Sequence, residues 1–212
     1  MILEVKNISK TIKDRTILSD ISLTLESGMV YGFVGKNGCG KTMLFRALSG
    51  LMRVDTGEIL YDGKKLQEDI TMPPNLGIVL ENAGLYPEFS GLKNLKLLAK
   101  IKGIADETAI QTAIQRVGLD PADKRPVRKY SLGMKQRIVL AQAIMEQPEI
   151  LMLDEPTNAL DESGVELIRK VILEEKERGA IVLLASHNKE DISILADRVF
   201  FMQEGKITGG QE

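Results

Sequence analysis

Apolar and polar positions change their period twice along the chain. Residues 3–6, 17–25, 30–34 and 57–61 alternate or cluster apolar side chains between turn signals, the pattern of strands. Glu26-Ser27-Gly28 and Asp62-Gly63-Lys64 are predicted as hairpin turns. Over residues 91–102 and 106–117 the apolar positions recur at three and four, which predicts two helices, stopped by Gly103, Gly118 and Pro121. The last third alternates: helix 132–145, strand 149–153, helix 161–178, strand 180–186, helix 189–196. A hairpin of 199–203 and 206–208 around Glu204-Gly205 closes it. Strand then helix, repeated, predicts a largely parallel α/β core, here preceded by a mostly β region.

Composition narrows the class. The 212 residues are 43% hydrophobic, 27% charged and 4% aromatic with no Trp, a balance suited to one soluble globular domain and unsuited to disorder. A formal net charge of -2 gives no global positive field, so no nucleic-acid partner is expected and any phosphate contact must be local. Glu4 and Lys6 break the apolar opening, which reads as a strand and not as a signal peptide. No uncharged apolar run approaches the ~18 residues of a membrane-spanning helix. Single residues of cysteine, Cys39, and histidine, His187, exclude an internal disulfide and a cysteine-rich or polyhistidine metal site, and a reducing cytoplasm is the simplest compartment.

Gly35-Lys36-Asn37-Gly38-Cys39-Gly40-Lys41-Thr42 follows the predicted strand 30–34 and precedes a predicted helix 43–49. Glycines at that spacing let a loop curl so that successive backbone N-H groups, Met43 at the helix start included, face a triphosphate. The new helix adds its positive end, Lys41 reaches the β and γ phosphates, and Thr42 offers a hydroxyl to Mg²⁺. Ile150-Leu151-Met152-Leu153-Asp154-Glu155 is a buried strand ending abruptly in two carboxylates, at the end where α/β sheets bind ligands. Asp154 is suited to the Mg²⁺ shell and Glu155 to polarising a water in line with the γ phosphate.

With Tyr130-Ser131-Leu132-Gly133-Met134-Lys135-Gln136-Arg137 as a third motif, the whole chain resembles the ATP-binding cassette family, the nucleotide-binding subunits of ABC transporters. The family signature is Leu-Ser-Gly-Gly-Gln; Ser131 and Gly133 keep it, and Tyr130, Leu132 and Met134 depart in a manner similar to drug, lantibiotic and bacitracin exporters. Pro156-Thr157-Asn158-Ala159-Leu160-Asp161 is similar to the family's D-loop, which makes Asp161 a candidate nucleotide contact. Ser186-His187 is similar to its switch histidine, with the imidazole donating to a γ-phosphate oxygen. Two positions are altered. Ile12 stands where an aromatic usually stacks on adenine, and Glu81 where the Q-loop glutamine sits, with an oxygen still available to Mg²⁺ or water.

The resemblance implies a phosphate-loop ABC ATPase fold over residues 1–212: a parallel α/β core, an antiparallel β subdomain and an inserted α-helical subdomain at about 92–137. It implies ATP and Mg²⁺ as cofactors, with Lys41, Glu155 and His187 catalytic. Ser131 and Gly133 would act on nucleotide held by the opposite subunit, so a homodimer, or a dimer with a paralogous cassette, forms on ATP. The remaining partner is a separate membrane permease, on whose cytoplasmic face the protein would sit, powering export. A soluble ABC ATPase driving a non-transport machine is the alternative. Cys39 reads as a small loop filler, the Lys124, Arg125, Arg128, Lys129 cluster as a solvated face, and the methionines as mostly core.

Overall fold

The computed structural model of the protein describes residues 1–80 and 84–211. Its first part contains β1 (Ile2–Ile12), β2 (Arg15–Glu26), β3 (Met29–Val34), α1 (Lys41–Leu48), β4 (Thr56–Tyr61), β5 (Lys64–Lys65) and β6 (Leu76–Val79). The helices α2 (Gly91–Lys102), α3 (Glu107–Arg116) and α4 (Leu132–Ile144) follow, then β7 (Ile150–Asp154), α5 (Glu162–Glu177), β8 (Ile181–Ala185), α6 (Lys189–Leu195), β9 (Arg198–Gln203) and β10 (Lys206–Gln211). Two sheets result, an antiparallel one in the order β2-β1-β4-β5 and a second in the order β10-β9-β3-β8-β7-β6. In the second sheet β9, β3, β8, β7 and β6 run parallel, and β10 adds an antiparallel edge.

The continuous apolar runs of the central strands are explained by burial on both faces of this sheet. Leu151, Leu153, Val182 and Leu184 enter a core covered by α2 to α6. Their neighbours Ile150, Met152, Ile181 and Leu183 enter the opposite core, with α1 and the antiparallel sheet. Phe33 anchors that second core edge-on to Phe45 of α1, ring centroids 5.4 Å apart. Burial of side chains of this size stabilises by roughly 1.5–3 kcal/mol each, so the sheet that carries the site is held from both sides.

Two local expectations change. The turn at Ser27-Gly28 is not a hairpin: β2 pairs with β1 in one sheet while β3 pairs with β8 and β9 in the other, so the turn carries the chain between sheets. β1 extends well past the expected residue 6, because register shifts between Val5 and Ile8, near Asn7 at φ 49, interrupt the alternation that marks a strand. The β1–β2 connection is a two-residue turn at Lys13 and Asp14, φ 48 and 62, invisible to a search for glycine or asparagine. The Asp62-Gly63 and Glu204-Gly205 hairpins do form, each with both φ values positive.

Candidate functional site

The loop between β3 and α1 has the backbone that its glycines permit. Gly38 and Gly40 take φ 78 and 117, where a side chain is strained. A Cβ on Gly35 would collide with the Met202 carbonyl and the Cys39 sulfur. Gly40 caps α1 without a side-chain hydrogen bond, so the first amides of the helix, that of Met43 included, remain orphan donors for an anion. Lys41 lies buried beneath the loop, its Nζ donating to the Gly35 carbonyl at 2.7 Å and reaching that of Lys36 at 3.5 Å. Cys39 is buried and its carbonyl accepts the Gly205 amide, a packing role as expected. The Met43 side chain packs against the core and not into the site.

The acidic end of β7 meets this loop directly. The Thr42 hydroxyl donates to Asp154 Oδ2 at 2.5 Å. Glu155 takes φ 51, left-handed for a residue with a Cβ, a conformation that costs about 1–3 kcal/mol. Its N-H donates to the Ala185 carbonyl at the end of β8, 2.8 Å away, which holds it there. The consequence is that its carboxylate turns to the next loop: the His187 backbone N-H donates to Oε1 at 3.0 Å, and the imidazole Nδ1 lies 2.8 Å from Oε2. Lys41, Thr42, Asp154, Glu155 and His187 line one cleft of about 740 Å³. A second cleft of about 780 Å³ shares Asn37 and Gly38 with it and is lined further by Gly35, Lys36, Cys39, Arg15, Ile17 and Phe201. Ile12 lines neither cleft.

The start of α4 is placed differently. Ser131 caps the helix, its Oγ accepting the Met134 amide at 3.2 Å, and neither it nor Gly133 lines the cleft beside its own phosphate loop. A Cβ on Gly133 would sit 3.1 Å from the Ala159 carbonyl, so the signature packs on the segment after Glu155. Asp161 likewise caps α5, accepting the Gly164 amide at 3.1 Å. Glu81 lies outside the described residues. Tyr130, one of the departures, is buried, and its hydroxyl accepts the Gly91 amide that starts α2. Burial pushes this phenol's pKa up. The sequence reading missed the face of α4 that lines the cleft, Leu132, Lys135, Gln136 and Val139, with Gln136 Nε2 donating to the Glu155 carbonyl at 3.4 Å. Their three-and-four spacing was the available signal.

A glycine loop between a buried strand and a helix, with its lysine beneath it and two carboxylates at the carboxyl end of a parallel strand, defines a phosphate-loop ATPase. The family model for the ABC transporter matches residues 18–158. The chain is 49% identical over 205 residues to the uncharacterized ABC transporter ATP-binding protein YybJ of Bacillus subtilis, covering 97% of this chain and 94% of that one. It is 35% identical over 206 residues to the lantibiotic transport ATP-binding protein SrtF of Streptococcus pyogenes, 97% and 88% covered. Its fold superimposes on the dimeric bacterial ABC transporter cassette MJ0796 with a TM-score of 0.90 at 21% identity, over 99% of this chain and 98% of that one. The chain belongs to the ABC transporter family, as an ATP-binding, ATP-hydrolysing subunit.

Proposed function

We propose that this subunit hydrolyses MgATP to power export through a separate membrane permease, sitting at the cytoplasmic face of the membrane. The observation that carries the chemistry is the continuous chain Thr42, Asp154, Glu155, His187 along one cleft. The donor set suits Mg²⁺: a hydroxyl and a carboxylate oxygen side by side, with no group of three or more His, Cys, Asp or Glu able to hold a metal among the described residues. That is the economy of an ion held mainly by substrate phosphates and water. When bound there, Mg²⁺ supplies neutralisation of charge on the β and γ phosphates.

Lys41 and the loop amides orient the triphosphate. Glu155 takes a proton from a water attacking the γ phosphorus in line, and the bond from that phosphorus to the β-γ bridging oxygen breaks, leaving ADP and phosphate. His187 holds the Glu155 carboxylate through its backbone N-H and Nδ1, and when the ring leaves the carboxylate it can donate to a γ-phosphate oxygen instead. Ser131 and Gly133, outside their own cleft, serve the nucleotide of a second copy in a head-to-tail dimer. Residues 1–212 act as one ATPase domain with its helical part at about 92–137, and no nucleic acid takes part. A transport role is favoured by the lantibiotic transport relative. No helix among the described residues is long and apolar enough to cross a membrane, and the path is assigned to the separate permease as part of this proposal.

Co-expression with the product of the neighbouring reading frame tests the transport reading, which predicts that this product spans the membrane several times. The subunit is expected to move to the membrane fraction and to hydrolyse ATP faster there. Retention in the soluble fraction with a soluble neighbour would favour a non-transport machine.

A further inference from the structure

Asp191, in the first turn of α6, is fully buried, and nothing in the nucleotide chemistry above uses it. One oxygen, Oδ2, accepts the hydroxyl of Thr157 at 2.5 Å; the other, Oδ1, accepts Nε of Arg169 from α5 at 2.8 Å and lies 2.7 Å from its Nη2. A carboxylate removed from water persists only when paired and hydrogen-bonded. The pair could be satisfied by Arg169 alone. The third partner, Thr157, is the informative one.

Thr157 is itself buried, and it stands two residues after Glu155 in the turn that leaves β7. Asp191 stands four residues after His187, on the helix that follows the β8 turn. The two turns are therefore joined twice. At the cleft, Glu155 meets the His187 backbone and ring; beneath it, Thr157 meets Asp191. The upper junction consists of groups that must rearrange around a γ phosphate and a water, whereas the lower one is sealed from solvent and contacts no reacting atom. Other ties add to the lower one. The Leu160 amide donates to the Thr157 carbonyl and the Asn158 amide to that of Glu155, so the turn is a tight unit whose position is transmitted to Glu155. Glu155 and Ala159 within it both hold positive φ, a strain that surrounding contacts must maintain.

We propose that the Thr157, Asp191, Arg169 cluster is a positioning device that fixes the distance between the Glu155 turn and the His187 turn, and so sets turnover without contributing to ATP affinity. This rests on the reading of Glu155 and His187 as the groups at the γ phosphate. A misplacement of about 1 Å in a reacting group can cost about a hundredfold in rate, while the loop, Lys41 and Thr42, which hold the nucleotide, have no bond to this cluster.

The test uses the full chain with four variants. Thr157→Val keeps shape and removes the donor; Thr157→Ser restores it; Glu155→Gln and the Glu155→Gln, Thr157→Val double variant control for the reading beneath. Circular dichroism and thermal melts establish folding, equilibrium binding of a fluorescent ATP analogue gives affinity, and phosphate release gives kcat and KM. Thr157→Val is expected to lose tenfold to a hundredfold in kcat with nucleotide affinity within twofold, Thr157→Ser to recover most of it, and the double variant to be no slower than Glu155→Gln. Thr157→Val within twofold of the parent in kcat overturns the proposal, as does a matching loss of affinity, no recovery with serine, or an additive loss in the double variant. A Glu155→Gln variant of parental activity defeats the reading of Glu155 instead.

Discussion

The phosphate loop with the acidic turn and the start of α4 both carry family motifs, yet the fold treats them oppositely. The first pair is closed within one chain: Thr42 bonds Asp154, Glu155 bonds His187, and all four line one cleft. Ser131 and Gly133 have no such closure, Ser131 capping its own helix and Gly133 packing on Ala159. One region is closed into a cleft within the chain, and the other is the half of an interface that the proposed dimer requires. A single chain thus lines its cleft with the loop, the acidic turn and Leu132, Lys135 and Gln136 of α4, but not with Ser131 or Gly133, and under the proposed function these two serve a second copy.

The sharpest way to break the comparison is Glu155→Gln. Removing the base costs about 10² to 10⁴ in rate while leaving the loop, Lys41 and Thr42 to bind, so sedimentation with MgATP should find a trapped dimer. A mutant that stays monomeric at saturating ATP, or turns over at the parent rate, places the chemistry elsewhere. Thr42→Val comes next. It removes a hydroxyl bonded to a carboxylate, an interaction worth about 1.5–3 kcal/mol. Titration of ATPase rate against free Mg²⁺ should show a demand for the ion raised about tenfold to a hundredfold, and an unchanged curve would mean that the loop and Asp154 are joined for stability alone.

The smallest effect concerns the base. Stacking on an aromatic ring contributes roughly 1 to 3 kcal/mol, and Ile12, which lines neither cleft, has no ring to offer. Affinity then comes mostly from the triphosphate, so GTP should compete with labelled ATP within about tenfold, a difference below roughly 1.4 kcal/mol. Ile12→Tyr should gain at most about tenfold. Strong ATP preference in the parent would assign base reading to the second cleft, where Arg15 and Phe201 stand.

Much of this was legible in the residues because it rests on backbone demands. Glycine is the residue least strained at Gly38 and Gly40, φ 78 and 117, and a wholly apolar strand ending in Asp154-Glu155 has one reasonable place in an α/β sheet. The double burial of residues 150–153 and 181–184 is likewise written in their unbroken apolarity. What escaped reading depends on contacts between distant segments. Asp191 and Thr157 look like ordinary polar residues of a helix start and a turn until the fold seals them together. The jump of the chain between sheets at Ser27-Gly28 carries the same turn chemistry as a hairpin, and only the pairing of β3 with β8 and β9 distinguishes them.

The claim that each chain holds half of each site is tested most directly by mixing two inactive variants. Lys41→Met disables the phosphate loop and leaves the signature; Ser131→Arg blocks the signature and leaves the loop, with circular dichroism confirming that both fold. In a head-to-tail dimer of the two, one site joins an intact loop to an intact signature. Neither variant alone is expected to release phosphate from MgATP, and the mixture is expected to recover a substantial part of the parental rate. Undiminished activity of the Ser131→Arg protein by itself, or no recovery on mixing, would contradict a site shared between two copies.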